Sequence, residues 1–319
     1  MQFDTVIVGA GLAGLSAARA CSGTLLVLEK GRSPGGRLAT RRMVGAGGVE
    51  ARLDHGAQFF TVRSERFGAV AHEWIARGIA REWCRGFSSG GDGHPRFVGV
   101  SGMNALAKSL AASLPVRCGT EVTAVTIAGE MLRLEDSTGE RYHAQSVILT
   151  APIAQSIALL DRGGVPLPTV LRAALDAIVY APCLALLVTL GGPSAVPDPG
   201  GLQLAAPETF SFVGDNQAKG ISPVPAVTLH ANDEVSAALF DREPDEAHAF
   251  LLGEAERFLG SAVVTSELKR WRYARPTTRC DERSLSYAPT SGTRIVFAGD
   301  AFGCGAIEGA ALSGISVVV

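Results

Sequence analysis

Cysteine never clusters in this sequence. The six cysteines lie far apart, and no C-x-x-C pair and no Cys/His group with the spacing of metal ligands occurs. Structural zinc is therefore not expected, and we predict no metal site. Scattered thiols favour a reducing compartment, so the expected location is the cytoplasm. The cysteines are Cys21, Cys84, Cys118, Cys183, Cys280 and Cys304.

No apolar run is long enough to cross a membrane. A spanning helix needs about 18 or more consecutive apolar residues, and none occurs although 47% of the 319 residues are hydrophobic. The N-terminal apolar run has no basic region before it and is interrupted by Gly9, Gly11 and Gly14, which excludes a secretory signal. A net charge of −2 and a pI near 6.3 give no basic surface for nucleic acid. We expect neither nucleic acid nor membrane as a partner.

The segment from Asp4 to Leu15 combines a strand, a glycine turn and the start of a helix. Its first residues form a short apolar, β-branched run, which is typical of a buried parallel strand. Gly9, Gly11 and Gly14 then follow the G-x-G-x-x-G spacing. This spacing permits a tight turn, the approach of a pyrophosphate to the backbone, and close packing of the helix on the strand. The helix N-terminus offers free N–H groups to a phosphate.

A second apolar strand, residues 24–28, ends on Glu29. This glutamate lies twenty residues after Gly9 (29 − 9), where an acidic side chain can accept hydrogen bonds from an adenosine ribose. The whole arrangement predicts a bound dinucleotide. The alternative is a buried strand–turn–helix with incidental glycines and a surface Glu29.

The loop after Glu29 contains Gly35, Gly36 and Arg37. A glycine pair beside an arginine can contact a phosphate through both backbone and guanidinium. A solvated basic loop has the same composition. Both interpretations stay open at this point.

Segment 53–61 is predicted to form a turn that leads into an aromatic strand, with Gly56 allowing close approach of a ligand. His55 is either a catalytic base or one member of a local hydrogen-bonded pair with Asp54. Gln58 is better placed to hydrogen-bond a cofactor or a substrate amide.

Helical spacing of apolar residues predicts a helix over 66–77, with Trp74 in the core. The composition of 86–94 is that of a flexible loop. Residues 116–125 alternate like a strand, and an amphipathic helix is predicted over 244–260. Further strands are predicted at 146–152, 177–190, 209–216, 225–231, 267–273 and 293–298.

These elements predict an α/β protein: a Rossmann-type domain with a second domain built on an antiparallel sheet. We assign residues 1–60, 95–155 and 285–319 to the cofactor-binding domain. Residues 61–94 and 156–284 form the predicted substrate domain.

Taken together, the Gly9 motif, Glu29 and the Gly36-Arg37 loop resemble flavoproteins of the amine-oxidase and p-hydroxybenzoate-hydroxylase type. The resemblance implies FAD, held non-covalently rather than exchanged like NAD. It implies that Arg37 contacts the pyrophosphate and that Val122 lies against the adenine. The implied FAD-binding residues are Gly9, Gly11, Ala13, Gly14, Glu29, Lys30, Gly36, Arg37, His55, Gly56, Ala57, Gln58, Val122, Gly299, Asp300, Glu308, Gly309 and Ala310.

The same resemblance assigns roles near the C-terminus. Asp300 would bind the ribityl or phosphate region, and a helix from about Ile307 would direct its N-terminus at the flavin. The dipole of that helix would stabilise the anionic reduced flavin. Family members usually continue past Val319, which implies a shortened closing helix and a looser grip on FAD.

Four segments, 54–61, 212–216, 227–230 and 270–272, resemble the renalase family more specifically. This resemblance implies oxidation of the 2-dihydro and 6-dihydro isomers of NAD(P) to NAD(P)+ by hydride transfer to flavin N5. Dioxygen would reoxidise the flavin and give hydrogen peroxide, or another electron acceptor would take its place. The residues implied to face the flavin are Gln58, Tyr180, Asn216, His230, Trp271 and Arg272.

A dihydropyridine can deliver hydride directly, so such a site needs no general base. The first rival is a flavin amine oxidase, which would need an aromatic cage and usually a lysine near N5. Only Lys269, of four lysines, lies near a plausible site strand. Two other rivals are an aromatic hydroxylase, which would accept ordinary NAD(P)H, and a flavin-binding protein without turnover.

Overall fold

The computed structural model describes residues 1–87 and 92–317. The strands, in chain order, are β1 (Gln2–Val8), β2 (Leu25–Glu29), β3 (Thr40–Val44), β4 (Glu50–Asp54), β5 (Ala80–Cys84), β6 (Arg96–Gly99), β7 (Val116–Cys118), β8 (Val122–Ala128), β9 (Met131–Asp136), β10 (Arg141–Leu149), β11 (Tyr180–Leu190), β12 (Gly201–Gln203), β13 (Phe210–Asp215), β14 (Ala226–Ala231), β15 (Val263–Pro276), β16 (Leu285–Tyr287) and β17 (Arg294–Phe297). The α-helices are α1 (Leu12–Ala20), α2 (Glu65–Ala76), α3 (Asn104–Ala111), α4 (Ile153–Arg162), α5 (Thr169–Asp176), α6 (Asp233–Leu239), α7 (Pro244–Leu259) and α8 (Ala306–Ser316).

The chain forms two compact units. Unit 1 contains Met1–Gly36, Ala107–Val179 and the chain from Pro276 onward, and unit 2 contains Arg37–Leu106 and Tyr180–Arg275.

Unit 1 is built on a mostly parallel sheet with the order β16-β17-β10-β1-β2-β7. Strands β17, β10, β1, β2 and β7 run parallel, and β9 joins β10 antiparallel. The central strands are apolar along their length, and Ile7, Val27 and Ile148 are fully buried, as a strand covered on both faces requires. Helices α1 and α8 pack closely, since a Cβ on Gly314 would lie 2.2 Å from the carbonyl oxygen of Ala13. This is the predicted Rossmann-type fold.

Unit 2 is built on the predicted antiparallel sheet, in the order β12-β13-β14-β11-β15. One face packs against α7, where residues such as Leu186, Leu229 and Leu251 are completely buried. The opposite face packs partly on the β3–β4 hairpin, through Leu53 and Leu187. Apolar residues therefore run continuously along β11, and successive side chains pack on opposite faces of the sheet.

The compact units divide the chain differently from the predicted domains. Residues 37–60 and 95–106 belong to unit 2, because the β3–β4 hairpin buries its apolar side chains on the antiparallel sheet. Residues 156–179 belong to unit 1, where Gly163 at the end of α4 packs against the backbone of Val125. The assignment of a cofactor domain and a substrate domain stays a prediction.

Most predicted elements are present, with local corrections. The helix over 66–77 is α2, and Trp74 is fully buried against Phe60 and Phe67. The expected aromatic strand at 59–61 is wrong, because Phe60 forms only an isolated bridge with Phe97. The single strand expected over 116–125 is two strands, β7 and β8, separated by a turn. Of the predicted loop 86–94, residues 88–91 lie outside the described residues.

No helix in the part of the chain that the structure describes is long and apolar enough to cross a bilayer.

Candidate functional site

The glycine turn of unit 1 has the geometry of a phosphate cradle. Gly9 adopts φ +106°, a conformation that side chains rarely tolerate. A Cβ on Gly14 would lie 2.0 Å from the carbonyl oxygen of Gly9, so only glycine lets α1 pack this close to β1. A Cβ on Gly11 would meet nothing within 4 Å, which leaves open space over the second glycine.

The start of α1 has unsatisfied donors. Its N-cap is Gly11, which has no side chain to cap the helix, and its first turn contains no acidic residue. The first N–H groups of such a helix are satisfied by a ligand or water, and the dipole favours an anion there. The second glycine cluster borders the same space, because Gly35 donates its N–H to the Ala10 carbonyl at 2.9 Å and Gly36 lies next to Gly11.

Glu29 is buried at the end of β2 and is held rigidly. One carboxylate oxygen accepts from the Ala10 N–H and the other from the Gly31 N–H, both at 2.7 Å. Each oxygen retains a second lone pair, which can accept from a ribose hydroxyl. Lys30 is exposed next to it, and Val122, at the start of β8, is buried.

The C-terminal part of unit 1 supplies the other predicted cofactor contacts. The N–H of Gly299, just after β17, donates to the Ser313 hydroxyl of α8 at 2.9 Å. Helix α8 begins at Ala306, close to the predicted start, and its N-cap Gly305 has no capping side chain. Glu308 is buried in its first turn, followed by Gly309 and Ala310. Asp300 is half-buried in the turn between β17 and α8.

The open space over Gly11 and the uncapped α1 N-terminus fit the pyrophosphate of a dinucleotide. The residues of unit 1 that would hold it are the backbone of the Gly9–Gly14 turn and Glu29. Contacts from Asp300 and the start of α8 stay predictions.

In unit 2, a buried ion pair joins Asp54 at the end of β4 to Lys219. The Lys219 Nζ lies 2.9 Å from Asp54 Oδ2, and both side chains are 0% exposed. The other carboxylate oxygen accepts from the Thr40 hydroxyl at 2.6 Å and from the Met103 N–H at 2.8 Å. Burying two charges is costly unless they are paired and hydrogen-bonded. Here Oδ2 is paired with Lys219, and the hydrogen bonds are made to the other oxygen, Oδ1.

Gln58 connects this ion pair to the sheet. Its Oε1 accepts from Lys219 Nζ at 3.1 Å, and its Nε2 donates to the Asp54 carbonyl at 2.7 Å. Nε2 also lies 3.3 Å from Nε2 of His230, on β14. We call Asp54, Gln58, Asn216, Lys219 and His230 the Gln58 network.

Trp271 of β15 and His55 form a flat aromatic pair in unit 2. Their ring centroids are 5.3 Å apart, with an interplanar angle of 23°. The Trp271 Nε1 donates to the backbone carbonyl of His55 at 2.8 Å. The expected pairing of His55 with Asp54 is absent among the described residues, because His55 Nδ1 is buried without a partner.

Both imidazoles near the network are held neutral. Burial, assisted by the positive charge of Lys219, lowers the pKa of His230 to about 4, against a hydrogen bond to the His55 backbone that raises it. Burial also lowers the pKa of His55 to about 4, assisted by the charge of Lys269. Burial likewise lowers the pKa of Lys219, opposed by Asp54. Neither histidine is suited to act as a general base near neutral pH.

Asn216 uses its whole amide within the protein. Its Oδ1 accepts from the Asp54 N–H at 3.3 Å, and its Nδ2 donates to the Ala226 carbonyl and to the Thr228 hydroxyl. The side chain is 0% exposed. It joins the end of β4 to β14, and a direct role toward a substrate stays a prediction.

Three other predicted residues lie outside the Gln58 network. Tyr180 meets Tyr273 edge-on at 5.7 Å, and the Arg37 guanidinium lies 6.0 Å from the Tyr180 ring. Arg37 also donates to the Tyr273 carbonyl at 3.3 Å. Arg272 pairs with Asp241 at 2.6 Å. Successive residues of a strand alternate between faces, so Arg272 and Trp271 point in opposite directions from β15.

Lys219 is the residue that the sequence analysis missed. It follows the segment 212–216 by three positions, and nothing local marks it as buried. Lys269, the lysine expected near a site strand, pairs with Glu267, and its charge acts on His55. Lys219 also contacts a predicted site residue, because its Nζ lies 3.1 Å from Gln58 Oε1. The burial of Lys219 depends on Asp54, which lies far away in the sequence and packs beside it.

Two family models match the chain. The model described as flavin containing amine oxidoreductase matches residues 64–319, and the model described as NAD(P)-binding Rossmann-like domain matches residues 7–74. A curated relative, lysine-specific histone demethylase 1 homolog 1 of Arabidopsis thaliana, is 45% identical over 74 residues. That match covers 22% of this chain and only 9% of the relative.

Solved structures with the same fold cover nearly the whole chain. A triple mutant of putrescine oxidase superposes with a TM-score of 0.71 at 17% identity, over 98% of this chain and 97% of that chain. A candidate protoporphyrinogen oxidase from Exiguobacterium sp. 255-15 gives 0.69 at 15% identity, over 98% and 97%. Wild-type putrescine oxidase bound to putrescine gives 0.64 at 17% identity, over 99% and 98%. At these identities the likeness concerns the fold.

Proposed function

The chain belongs to the flavin-containing amine oxidoreductase family, and from this premise we propose that it oxidises the 2-dihydro and 6-dihydro isomers of NAD(P) to NAD(P)+. The cofactor is FAD. Bound FAD would supply the hydride acceptor, and dioxygen would then take up two electrons and two protons to give hydrogen peroxide.

The observation that carries this proposal is the buried and internally paired Gln58 network, in which Lys219 pairs with Asp54 and contacts Gln58. His55 and His230 both have a pKa near 4, and Lys219 is paired with Asp54. An aliphatic amine is an ammonium ion at neutral pH, because its pKa is about 10, and must lose a proton before oxidation. A dihydropyridine has no such proton. The Gln58 network has no base that titrates near pH 7, so it suits oxidation of a dihydropyridine better than oxidation of an amine.

The pair formed by Trp271 and His55 supports the same substrate class. It offers a flat aromatic surface that a pyridine ring can stack on. Positioning of the ring is the main contribution that such a reaction requires from the protein. Substrate binding by Gln58, Tyr180, Asn216, His230 and Arg272 belongs to this proposal.

The test is an anaerobic titration of the FAD-loaded protein. The 2-dihydro, 6-dihydro and 4-dihydro forms of NAD and NADP are added separately while the flavin absorbance near 450 nm is followed. We expect bleaching by the 2- and 6-dihydro forms and little by the 4-dihydro form. Fast bleaching by the 4-dihydro form would instead indicate a hydroxylase. Absence of bleaching by every form would refute the proposal.

Amine oxidation is the second candidate, and the family match favours it. Polyamines and aromatic monoamines are therefore added in parallel to the same preparation. Bleaching by an amine with none by the dihydropyridines would select this candidate. If neither the dihydropyridines nor the amines reduce the flavin, the result supports a flavin-binding protein without turnover.

A further inference from the structure

We propose that Lys219 is a positioning residue: from its ion pair with Asp54 it fixes the amide of Gln58, and through that amide it fixes the tautomer of His230. The consequence for substrate recognition rests on the proposed function. The contacts themselves all lie within unit 2.

The ammonium of Lys219 is held from three sides. Asp54 Oδ2 lies 2.9 Å from Nζ, and Gln58 Oε1 lies 3.1 Å from it. The ring of Trp83 lies on a further side, 5.5 Å from Nζ to the centroid. The side chain is 0% exposed and is therefore shielded from bulk solvent. The ammonium therefore has one arrangement available to it.

The Gln58 amide can adopt only one orientation beside this ammonium. Oε1 faces Nζ of Lys219, and Nε2 faces the carbonyl oxygens of Asp54 at 2.7 Å and Gly56 at 3.2 Å. A flipped amide would direct its NH2 at an ammonium and its oxygen at two carbonyls. Three contacts therefore agree on where the NH2 group is, which is how amide orientation is assigned.

The same NH2 group determines which nitrogen of His230 carries the proton. Gln58 Nε2 lies 3.3 Å from His230 Nε2. One of its two hydrogens is used by the Asp54 carbonyl, and the other is shared between the Gly56 carbonyl and His230, so a proton on His230 Nε2 would oppose it. The ring is neutral at pH 7, because burial and the charge of Lys219 keep its pKa at about 4. The single ring proton is then on Nδ1.

The tautomer decides what His230 offers to a ligand. A ring protonated on Nδ1 presents a donor at that atom. A donor recognises a carbonyl oxygen, such as the carboxamide of a nicotinamide, and does not recognise an ammonium. His230 lies beside Phe212 on β13, at 6.1 Å between ring centroids, on the sheet face opposite α7. The backbone carbonyl of His55 also accepts a hydrogen bond from this ring, so a substrate acceptor would compete with that carbonyl for the donor that Lys219 fixes through Gln58.

The direct test is the tautomer itself, measured by long-range 1H–15N correlation on the FAD-loaded protein with 15N-labelled histidine. The His230→Gln variant assigns the signal among the six histidines. We expect a neutral ring protonated on Nδ1 throughout the neutral pH range. A ring protonated on Nε2 would overturn the proposal.

Two variants distinguish the effect of the Lys219–Asp54 ion pair from the effect of the hydrogen bond between Lys219 and Gln58. In Asp54→Asn/Lys219→Met both charges are removed, which folded proteins often tolerate. Only the Asp54 and Gly56 carbonyls then hold the Gln58 NH2 group. We therefore expect a second His230 tautomer to become populated, and KM for the dihydropyridine to rise about tenfold with a smaller change in kcat. Asp54→Asn alone keeps the Lys219 donor on Gln58 and should keep the tautomer. Equal effects in both variants, or an unchanged tautomer in the double variant, would contradict the role of Lys219.

Gln58→Met serves as a second probe if the double variant does not fold. It keeps the Lys219–Asp54 pair and removes the whole Gln58 amide, including its contacts with Lys219 and with the Asp54 and Gly56 carbonyls, so the Nδ1 tautomer should be lost. Retention of that tautomer would contradict the proposal. An Nδ1 tautomer together with inert dihydropyridines would instead refute the proposed function and leave the positioning role intact.

Discussion

The Nε1 of Trp271 donates to the backbone carbonyl of His55 at 2.8 Å, while the two rings stack with centroids 5.3 Å apart. One residue of β15 thereby fixes both the backbone and the side chain of the segment that follows β4. The hydrogen bond prevents the indole from sliding over the imidazole. A planar surface held at two points is suited to orient a planar substrate.

Trp271→Phe should weaken substrate binding while preserving the stack. Loss of one hydrogen bond to the His55 carbonyl costs about 1 kcal/mol, so KM for the dihydropyridine should rise about fivefold. Steady-state kinetics measure this rise. Arg270→Ala is the matched control on the same strand, because Arg270 points away from Trp271 and donates to the Arg242 carbonyl. KM should change less than about twofold in the control. An equal rise in both variants would show that β15 acts only as a scaffold.

Gly14→Ala should abolish FAD binding. Its Cβ would lie 2.0 Å from the Gly9 carbonyl oxygen, so α1 must move away from β1 and the cradle opens. The purified variant should be colourless and should stay so after incubation with FAD. Gly253→Ala on α7 is the control, because its Cβ meets nothing within 4 Å. It should retain FAD and gain about 0.5–1 kcal/mol of stability. A yellow Gly14→Ala protein would contradict the assigned cradle.

Lys219→Met alone should destabilise the protein strongly. It leaves the Asp54 carboxylate buried without its partner, which costs about 3–5 kcal/mol. Arg172→Met is a control, because Arg172 forms only surface ion pairs with Asp161 and Asp176 and should cost less than about 1 kcal/mol. Urea unfolding of both variants gives the comparison. Similar midpoints for the two would mean that the buried pair contributes no more than a surface one.

The folded protein should lose stability as the pH falls from about 6.5 towards 4. The pKa values of His55 and His230 are lowered from 6.5 to about 4, chiefly by burial. Over that range the unfolded chain binds protons that the folded chain does not, so unfolding becomes more favourable. The loss should be on the order of 1–3 kcal/mol per histidine. Urea unfolding across this range measures it, and His55→Gln should remove part of the slope. A pH-independent midpoint would contradict neutral, buried rings.

The dinucleotide turn could be predicted because its signals are local. Gly9, Gly11 and Gly14 occur within six residues, and Glu29 follows within the same strand–helix–strand unit. The structure adds only the distances. The packing of unit 2 is harder to predict from the sequence. Its β3–β4 hairpin packs on a sheet whose first strand begins 126 residues after β4 ends (180 − 54).

The candidate site in unit 2 shows most clearly what local sequence patterns do not predict. Trp271 and Arg272 were both expected to face the flavin, yet alternation along β15 directs them to opposite sides. Lys219 was overlooked, although it contacts Gln58 directly. No local pattern distinguishes a buried lysine from a surface one, since burial depends on a partner elsewhere in the chain.

The sequence alone therefore determined the Rossmann-type turn, the class of the fold and the presence of an antiparallel sheet, because strand periodicity and glycine spacing act over a few neighbouring residues. Only the tertiary structure decided which charges are paired, which histidines are neutral and which amide orientation is allowed. Those properties arise where segments far apart in the chain, such as those that carry Asp54, Lys219 and His230, are buried together out of water.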